Sequence, residues 1–116
     1  MKMIRLFSGN DGQSHFEDIE IKLAPVHVAH FSMPFATDNI RFGRIEGVDE
    51  ISWHTQDEPC YIVILQGSME LEIGDGTKQV LKAGDILLAE DTTGQGHITR
   101  SINGQGWKFL IAPAKK

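Results

Sequence analysis

The chain has 116 residues, of which 41% are hydrophobic and 23% charged, the size and composition of one ordinary globular domain. Its formal net charge is −5, so it lacks the concentrated positive surface that holds nucleic acid phosphates. A lone cysteine excludes an intrachain disulfide, and no apolar run approaches the roughly 18 residues of a membrane span. The first residues lack the apolar core of a signal peptide, so we expect a cytoplasmic protein without membrane partners.

The first half of the chain predicts three strands. Short apolar runs separated by glycines are typical of strands, and such runs lie at 19–23, 26–31 and 40–45. The preceding segment, 11–18, begins with Gly12-Gln13-Ser14, so we expect a loop there. Because functional residues concentrate in loops, His15 in this segment is either a ligand-binding residue that closes over a binding site or a solvated loop histidine.

The second half of the chain predicts about six more strands. Residues 60–65 and 86–89 are apolar on both faces, as in strands inside a sandwich or covered by a partner. Between them, alternating residues 69–73 and the return strand 78–81 predict a hairpin, whose Asp75-Gly76 favours a type I′ turn. Further strands are predicted at 97–102 and 107–111. Many short strands separated by turns indicate a sandwich or barrel.

Two motif-like patterns lie within these strands. Gly67 is preceded by Cys60, Gln56 and His54 at fixed spacings, with Gly47 further upstream. The second pattern starts at Gly84-Asp85 and reaches His97, with Glu90 between them. The order of these features from Trp53 to Arg100 resembles the two motifs of the cupin superfamily. In the first motif Gln56 stands in place of its second histidine and Cys60 in place of its glutamate.

The second motif also departs from the family pattern. Glu90 stands where the family has proline, and the loop before His97 is two residues longer. Residues 87–97 and, more loosely, 11–18 are similar to a subgroup of small bacterial single-domain cupins.

The resemblance implies an all-β fold, a cupin jelly-roll β-barrel or sandwich of two antiparallel sheets. It implies one cupin domain over residues 1–116, with the first motif region at about 47–67 and the second at about 84–101. Many cupins dimerise by packing sheets or exchanging N-terminal strands, so we expect a homodimer.

The resemblance also implies a site inside the barrel. In metal-holding cupins three histidines and one glutamate bind a single ion, and the matching positions here are His54, Gln56, Cys60 and His97. Such a set implies either one divalent transition metal (Zn, Fe, Ni or Cu) or none. Under the second interpretation the same side chains, with Thr99, are hydrogen-bonding residues around a small-molecule ligand.

Other residues near these motifs have competing interpretations. Trp53 lines the rim of the ligand site or, like Phe42 and Trp107, belongs to a wall or the core. Cys60 is a nucleophile if a histidine lowers its pKa, although a cysteine that opens an apolar strand is more often a small buried hydrophobe. The adjacent Glu90 and Asp91 resemble a carboxylate pair for acid–base work, but adjacent acids on a loop beside glycines are usually solvated or cap the turn.

Three functions remain open from the sequence. The first is a small-molecule-binding cupin of unassigned activity, metal-dependent or not. If it is an enzyme, the resemblance implies an oxidative or isomerising step on a small polar metabolite. The second is a metal-free module that binds or senses a small ligand without catalysis. The third is an interaction subunit with a vestigial pocket. The retained pair of motif histidines favours the first function, whereas the missing glutamate and second histidine favour the second.

Overall fold

A computed structural model describes residues 1–115, and over that range the chain is built from strands without any helix. No segment of the described range is therefore a helix that could cross a membrane. The all-β prediction is confirmed. The strands are β1 (Lys2–Ser8), β2 (Ser14–Glu20), β3 (Ala24–Val26), β4 (Ala29–Phe31), β5 (Arg41–Ile45), β6 (Glu50–His54), β7 (Cys60–Gln66), β8 (Ser68–Glu72), β9 (Lys78–Lys82), β10 (Ile86–Glu90), β11 (His97–Ser101) and β12 (Trp107–Pro113).

Ten of these strands form two sheets that pack face to face. The larger sheet has the order β2-β1-β10-β7-β12-β5 and the smaller has the order β6-β11-β8-β9. This is the predicted jelly roll, with one difference from two antiparallel sheets. The strands β1 and β10 run parallel, so that Ile4 lies opposite Leu87. Since β5 and β6 are both edge strands and follow one another in the chain, the sandwich has an open side between them.

The hydrophobic core lies between the two sheets. Alternation along each strand turns one set of side chains inward, and both sheets contribute to the buried cluster. Full burial of each large apolar side chain contributes about 1.5 to 3 kcal/mol. The buried members of this cluster are Leu6, Cys60, Ile64, Met69, Leu71, Ile73, Leu81, Leu87, Ala89 and Trp107.

The predicted hairpin is present as β8 and β9, but its turn is not of type I′. That turn needs positive φ at both central residues, and here Gly76 has φ of 87° whereas Asp75 does not have positive φ. The Ile73 N–H donates to the Thr77 carbonyl and the Gly76 N–H donates to the Ile73 carbonyl. The three residues between Ile73 and Thr77 therefore form the loop, with the glycine in the left-handed position.

The N-terminal third differs most from the sequence prediction. Residues 14–20 form strand β2 because they pair with β1 along its whole length. The predicted loop at 11–18 is therefore wrong beyond residue 13, and the predicted strand at 19–23 is wrong beyond residue 20. The predicted strand 26–31 contains a turn at His27, whose φ is 56°. Strands β3 and β4 on either side of this turn pair only with each other and form a third, two-stranded sheet.

Candidate functional site

A cavity of about 170 Å³ lies between the two sheets, next to the hydrophobic core. Its wall is apolar except for four side chains, and residues of the edge strands β5 and β6 stand at its open side. We call it the central cavity. Its apolar lining residues are Ile45, Ile51, Ile62, Met69, Leu71, Leu87, Trp107, Phe109 and Ile111, and its polar ones are His54, Gln56, His97 and Thr99.

His54 reaches the central cavity because β6 contains a bulge. His97 pairs with His54 and Thr99 pairs with Ile51, so β6 has one residue more than β11 over this stretch. Regular alternation would send Ile51 and His54, three apart, to opposite faces, yet both line the cavity. The bulge also changes the direction of Trp53, which is 39% exposed and does not line the cavity.

His97 lies beside His54 because the chain approaches β6 closely at Gly96. This glycine has φ of 78°, and a Cβ atom there would overlap the carbonyl group of His54. Only glycine satisfies both conditions. The two imidazole rings have centroids 4.4 Å apart, inclined at 57°. His97 is buried and His54 is partly exposed, so His97 lies deeper in the cavity.

The Nδ1 atom of each imidazole is held by an acceptor. His54 Nδ1 lies 2.7 Å from the Ser52 carbonyl oxygen, which can only accept, so this nitrogen carries the hydrogen. His97 Nδ1 lies 2.6 Å from Asp91 Oδ2, which also accepts the Ser14 hydroxyl at 2.8 Å. Within residues 1–115 neither Nε2 atom has a hydrogen-bond partner. The two free Nε2 atoms belong to rings that line one apolar cavity.

Asp91 is the functional residue that the sequence analysis missed. It was expected to be solvated, but it is 0% exposed, and its Oδ1 atom has no hydrogen-bond partner in the described structure. The adjacent Glu90 points outward and accepts from Arg5 Nε at 2.6 Å. One signal was available: Asp91 and Ser14 lie in the two stretches, 87–97 and 11–18, that resemble small bacterial cupins, and their hydrogen bond joins these stretches.

Of the other predicted ligand residues, Gln56 and Thr99 line the central cavity and Cys60 does not. Cys60 is 2% exposed within the core, and its sulfur accepts from Gln56 Nε2 at 3.3 Å. Burial, followed by the nearby charges of Glu58 and Asp91, raises the pKa of the Cys60 thiol to about 11. The thiol is therefore almost fully protonated at neutral pH, which opposes the nucleophile interpretation.

His15 lies away from the other candidates. It is on strand β2 opposite Phe7, and its Nε2 atom lies 2.9 Å from the exposed Asp11 carboxylate. The hydrogen bond with His15 is the main cause of a lowered pKa of Asp11. His15 is therefore not a loop residue over the cavity. Phe42, expected in a wall or the core, is 73% exposed, whereas Trp107 is buried and lines the cavity.

The donor set does not fit a tightly held catalytic metal. The cavity offers two imidazole nitrogens and the neutral Gln56 side chain, because Cys60 lies outside it and the Asp91 carboxylate is bound to the far nitrogen of His97. Among residues 1–115 no group of three or more His, Cys, Asp or Glu side chains is placed to hold an ion. A closed or catalytic zinc site uses at least three such protein ligands.

Comparison of the sequence with protein-family models gives no match, and a search of curated proteins also gives none. Solved structures do match. An RmlC-like cupin family protein with a double-stranded β-helix fold from Methanocaldococcus jannaschii aligns with a TM-score of 0.51 at 16% identity, over 83% of this chain and 91% of that one.

Two further structures support the same fold. A conserved protein with a double-stranded β-helix domain from Klebsiella pneumoniae has a TM-score of 0.50 at 18% identity, over 82% of this chain and 75% of that one. The Cnp3 cupin domain of Schizosaccharomyces pombe has a TM-score of 0.50 at 12% identity, over 98% of this chain and 84% of that one. The chain therefore has the cupin fold, and identities this low carry no statement about activity.

Proposed function

We propose that this cupin fold binds a small molecule with an apolar body and one polar group in the central cavity, without a resident metal. The observation that carries the proposal is a pair of imidazole rings, His54 and His97, in a mostly apolar cavity. Their Nε2 atoms have no hydrogen-bond partner among residues 1–115. A ligand that enters the cavity buries these atoms, and buried polar groups are normally paired. A bound ligand supplies the missing partner.

The size of the cavity limits the ligand. An engineered protein cavity of about 150 Å³ holds one benzene molecule, and the central cavity measures about 170 Å³. Drug-sized ligands occupy pockets of about 300 Å³ or more. The expected ligand therefore has one small ring, or an equivalent branched chain, with few substituents. A sugar would fit poorly, because its hydroxyl groups would face nine apolar side chains without partners.

Ligand binding, unlike metal-dependent catalysis, requires only an apolar wall and a few polar groups that orient the ligand. The apolar wall supplies affinity, and the two histidines orient the polar group of the ligand. Metal-dependent oxidative chemistry would require ligands that the cavity lacks among the described residues. We therefore favour the binding or sensing module over the metal-dependent enzyme.

Thermal unfolding of untagged protein in the presence of small compounds tests the proposal. We expect stabilisation by monocyclic aromatic or alicyclic compounds with a single polar group, since a ligand at a hundredfold its Kd adds about 2.7 kcal/mol to the free energy of unfolding. Sugars should give no shift. The substitution Ile51→Trp at the open side should abolish the shift, whereas Val80→Trp, exposed on β9, should not.

Metal analysis of the same preparation tests the other half of the proposal. We expect no stoichiometric transition metal after purification without a histidine tag. One equivalent of metal that is lost in both His54→Ala and His97→Ala would contradict the metal-free site and favour the metal-dependent enzyme. Absence of stabilisation by any compound that fits the cavity would instead favour the interaction subunit with a vestigial pocket.

A further inference from the structure

The buried Asp91–His97 contact gives the central cavity a defined hydrogen-bonding character. His97 and Asp91 are almost completely buried, and His97 Nδ1 lies 2.6 Å from Asp91 Oδ2. The same oxygen accepts the Ser14 hydroxyl at 2.8 Å. A carboxylate oxygen that accepts from two donors fixes the hydrogen of His97 on Nδ1 and leaves a lone pair on Nε2.

His54 is held in the same form by a different partner. Its Nδ1 atom donates to the Ser52 carbonyl at 2.7 Å, so its Nε2 also carries a lone pair. The two rings are 4.4 Å apart and line the same cavity. The cavity therefore presents two hydrogen-bond acceptors, the Nε2 atoms of His54 and His97. The Thr99 hydroxyl and the Gln56 amide are the other polar groups of its lining.

We propose that Asp91 is a positioning residue that makes the central cavity select ligands with a hydrogen-bond donor, such as a hydroxyl group on a small apolar ring. The inference rests on the proposed binding function. A hydroxyl ligand donates to one Nε2 atom and fills the apolar space with its ring. An ether or ketone of the same shape leaves both Nε2 atoms unpaired, and a buried unpaired acceptor weakens binding.

The unpartnered Oδ1 atom of Asp91 predicts what the substitution Asp91→Asn does. No donor of the described structure reaches Oδ1, so an amide oxygen in its place reproduces the native environment. The amide nitrogen then replaces Oδ2 and donates to His97 Nδ1. That nitrogen becomes the acceptor, and the hydrogen of His97 moves to Nε2, in the cavity.

Nuclear magnetic resonance of the histidine side chains shows which ring nitrogen of each histidine carries the hydrogen. In ¹⁵N-labelled native protein at pH 7.5 we expect His54 and His97 both to carry hydrogen on Nδ1 alone. In Asp91→Asn we expect His97 to switch to Nε2–H while His54 is unchanged. Ser14→Ala removes a hydrogen bond from the same carboxylate and should leave the His97 form unchanged, which separates positioning from general loss of structure.

Phenol and anisole serve as matched probes, because they share a ring and differ in the donor. We expect phenol to bind the native protein about 5-fold to 10-fold more tightly than anisole, the effect of one hydrogen bond. We expect Asp91→Asn to reduce that ratio.

Three outcomes separate the possibilities. Native His97 with hydrogen on Nε2, or on both nitrogens, would overturn the inference even if Asp91→Asn does not fold. Equal binding of the two probes would also overturn it. If neither probe binds but the histidine forms are as expected, the proposed binding function fails and the positioning role of Asp91 stands.

Discussion

The two histidines of the central cavity are held with different strength. His97 is buried and donates to a fully buried carboxylate, whereas His54 is partly exposed and donates to a backbone carbonyl two residues away. Loss of the His97 ring leaves Asp91 with Ser14 as its one remaining side-chain partner in the described structure. Loss of the His54 ring leaves a carbonyl that water reaches more easily.

The substitution His97→Ala should therefore destabilise the protein far more than His54→Ala. Removing the His97 donor leaves a buried carboxylate short of a hydrogen bond, which costs about 3 kcal/mol or more, and a partly exposed side chain typically costs about 1 kcal/mol. Urea unfolding of both variants at pH 7 measures the difference. Equal losses would show that the Asp91 carboxylate is reached by water in the native protein.

Cys60 should be unreactive in the folded protein, because burial raises the pKa of its thiol to about 11. We expect iodoacetamide to label it at pH 7.5 only as fast as the protein unfolds. A rate that follows the thiolate concentration in the native state would contradict this. The substitution His54→Ala should not increase the labelling rate, since Cys60 lies outside the cavity.

The same raised pKa predicts a dependence of stability on pH. The unfolded chain loses the thiol proton near pH 9 and the folded protein near pH 11, so stability present below pH 9 is lost as the pH rises through that window. The expected loss is up to about 2 kcal/mol. It is measured as the difference in free energy of unfolding between native protein and Cys60→Ala at pH 8, 9, 10 and 11. Parallel curves for the two proteins would contradict the prediction.

Single residues also show what the sequence alone does not determine. His54 and His97 were found because their spacing resembles a motif, and Thr99 followed by strand alternation. Asp91 was missed because a local pattern of adjacent acids next to glycines is typical of a solvated loop. Its burial depends on contact with Ser14, more than seventy positions earlier, and no local pattern contains that contact.

Among the elements, the connection between β10 and β11 determines where His97 lies. The chain passes directly over the carbonyl of His54 at Gly96, where a side chain has no space. Gly104, in the turn before β12, has a similar φ of 68° but has no atom within 4 Å of a Cβ position. Substitution of Gly104 therefore measures the free-energy cost of the backbone conformation alone, whereas substitution of Gly96 adds the cost of the close contact.

We expect Gly96→Ala to destabilise the protein more than Gly104→Ala. Both substitutions place a Cβ in the left-handed region, which costs about 1 to 2 kcal/mol, but only Gly96→Ala forces β6 and the loop apart. It should also separate the two imidazole rings, seen as loss of nuclear Overhauser contacts between them. Equal destabilisation would show that the loop yields without disturbing the site.

Elements with strong local signals were predictable and the others were not. The hairpin β8–β9 has strict alternation and a glycine turn, and it lies where the sequence places it. The sequence predicts no strand at β1 and a loop over most of β2, because β2 is defined by its pairing with β1, and β1 by its pairing with β2 and β10. The turn at His27 needs φ of 56°, a conformation that only a few per cent of residues other than glycine adopt.

At the scale of the whole molecule, residues 23–37 form an apolar arm whose strands β3 and β4 pair only with each other. Residues 23–37 contain no Asp, Glu, Lys or Arg, and several of their large side chains are exposed, Val28 by 101%. The radius of gyration is 14.6 Å, against about 13.4 Å for a compact chain of this length. An isolated two-stranded hairpin is marginally stable in water. The exposed apolar side chains of the arm are Leu23, Val26, Val28, Phe31, Met33 and Phe35.

We therefore propose that the arm packs against a second copy of the chain. A net charge of −5 makes two copies repel each other, and the uncharged arm is a surface on which they meet without bringing charged side chains together. Sedimentation equilibrium should give twice the 12.9 kDa of one chain. The double substitution Val28→Asp and Met33→Asp should give the monomer, whereas Val80→Asp, an exposed apolar residue outside the arm, should not. A native monomer at micromolar concentration would contradict this prediction.

The parallel pairing of β1 with β10 has a consequence for how the chain folds. Ile4 meets Leu87 only after more than eighty residues are synthesised, and closing a loop of that length costs about 4 kcal/mol in chain entropy. Until then β1, paired with β2 on one side only, presents an unpaired edge on the other, the kind of surface that promotes aggregation. Folding should therefore take milliseconds to seconds, as in other proteins dominated by distant contacts, and heterologous expression should gain from conditions that slow collisions between nascent chains.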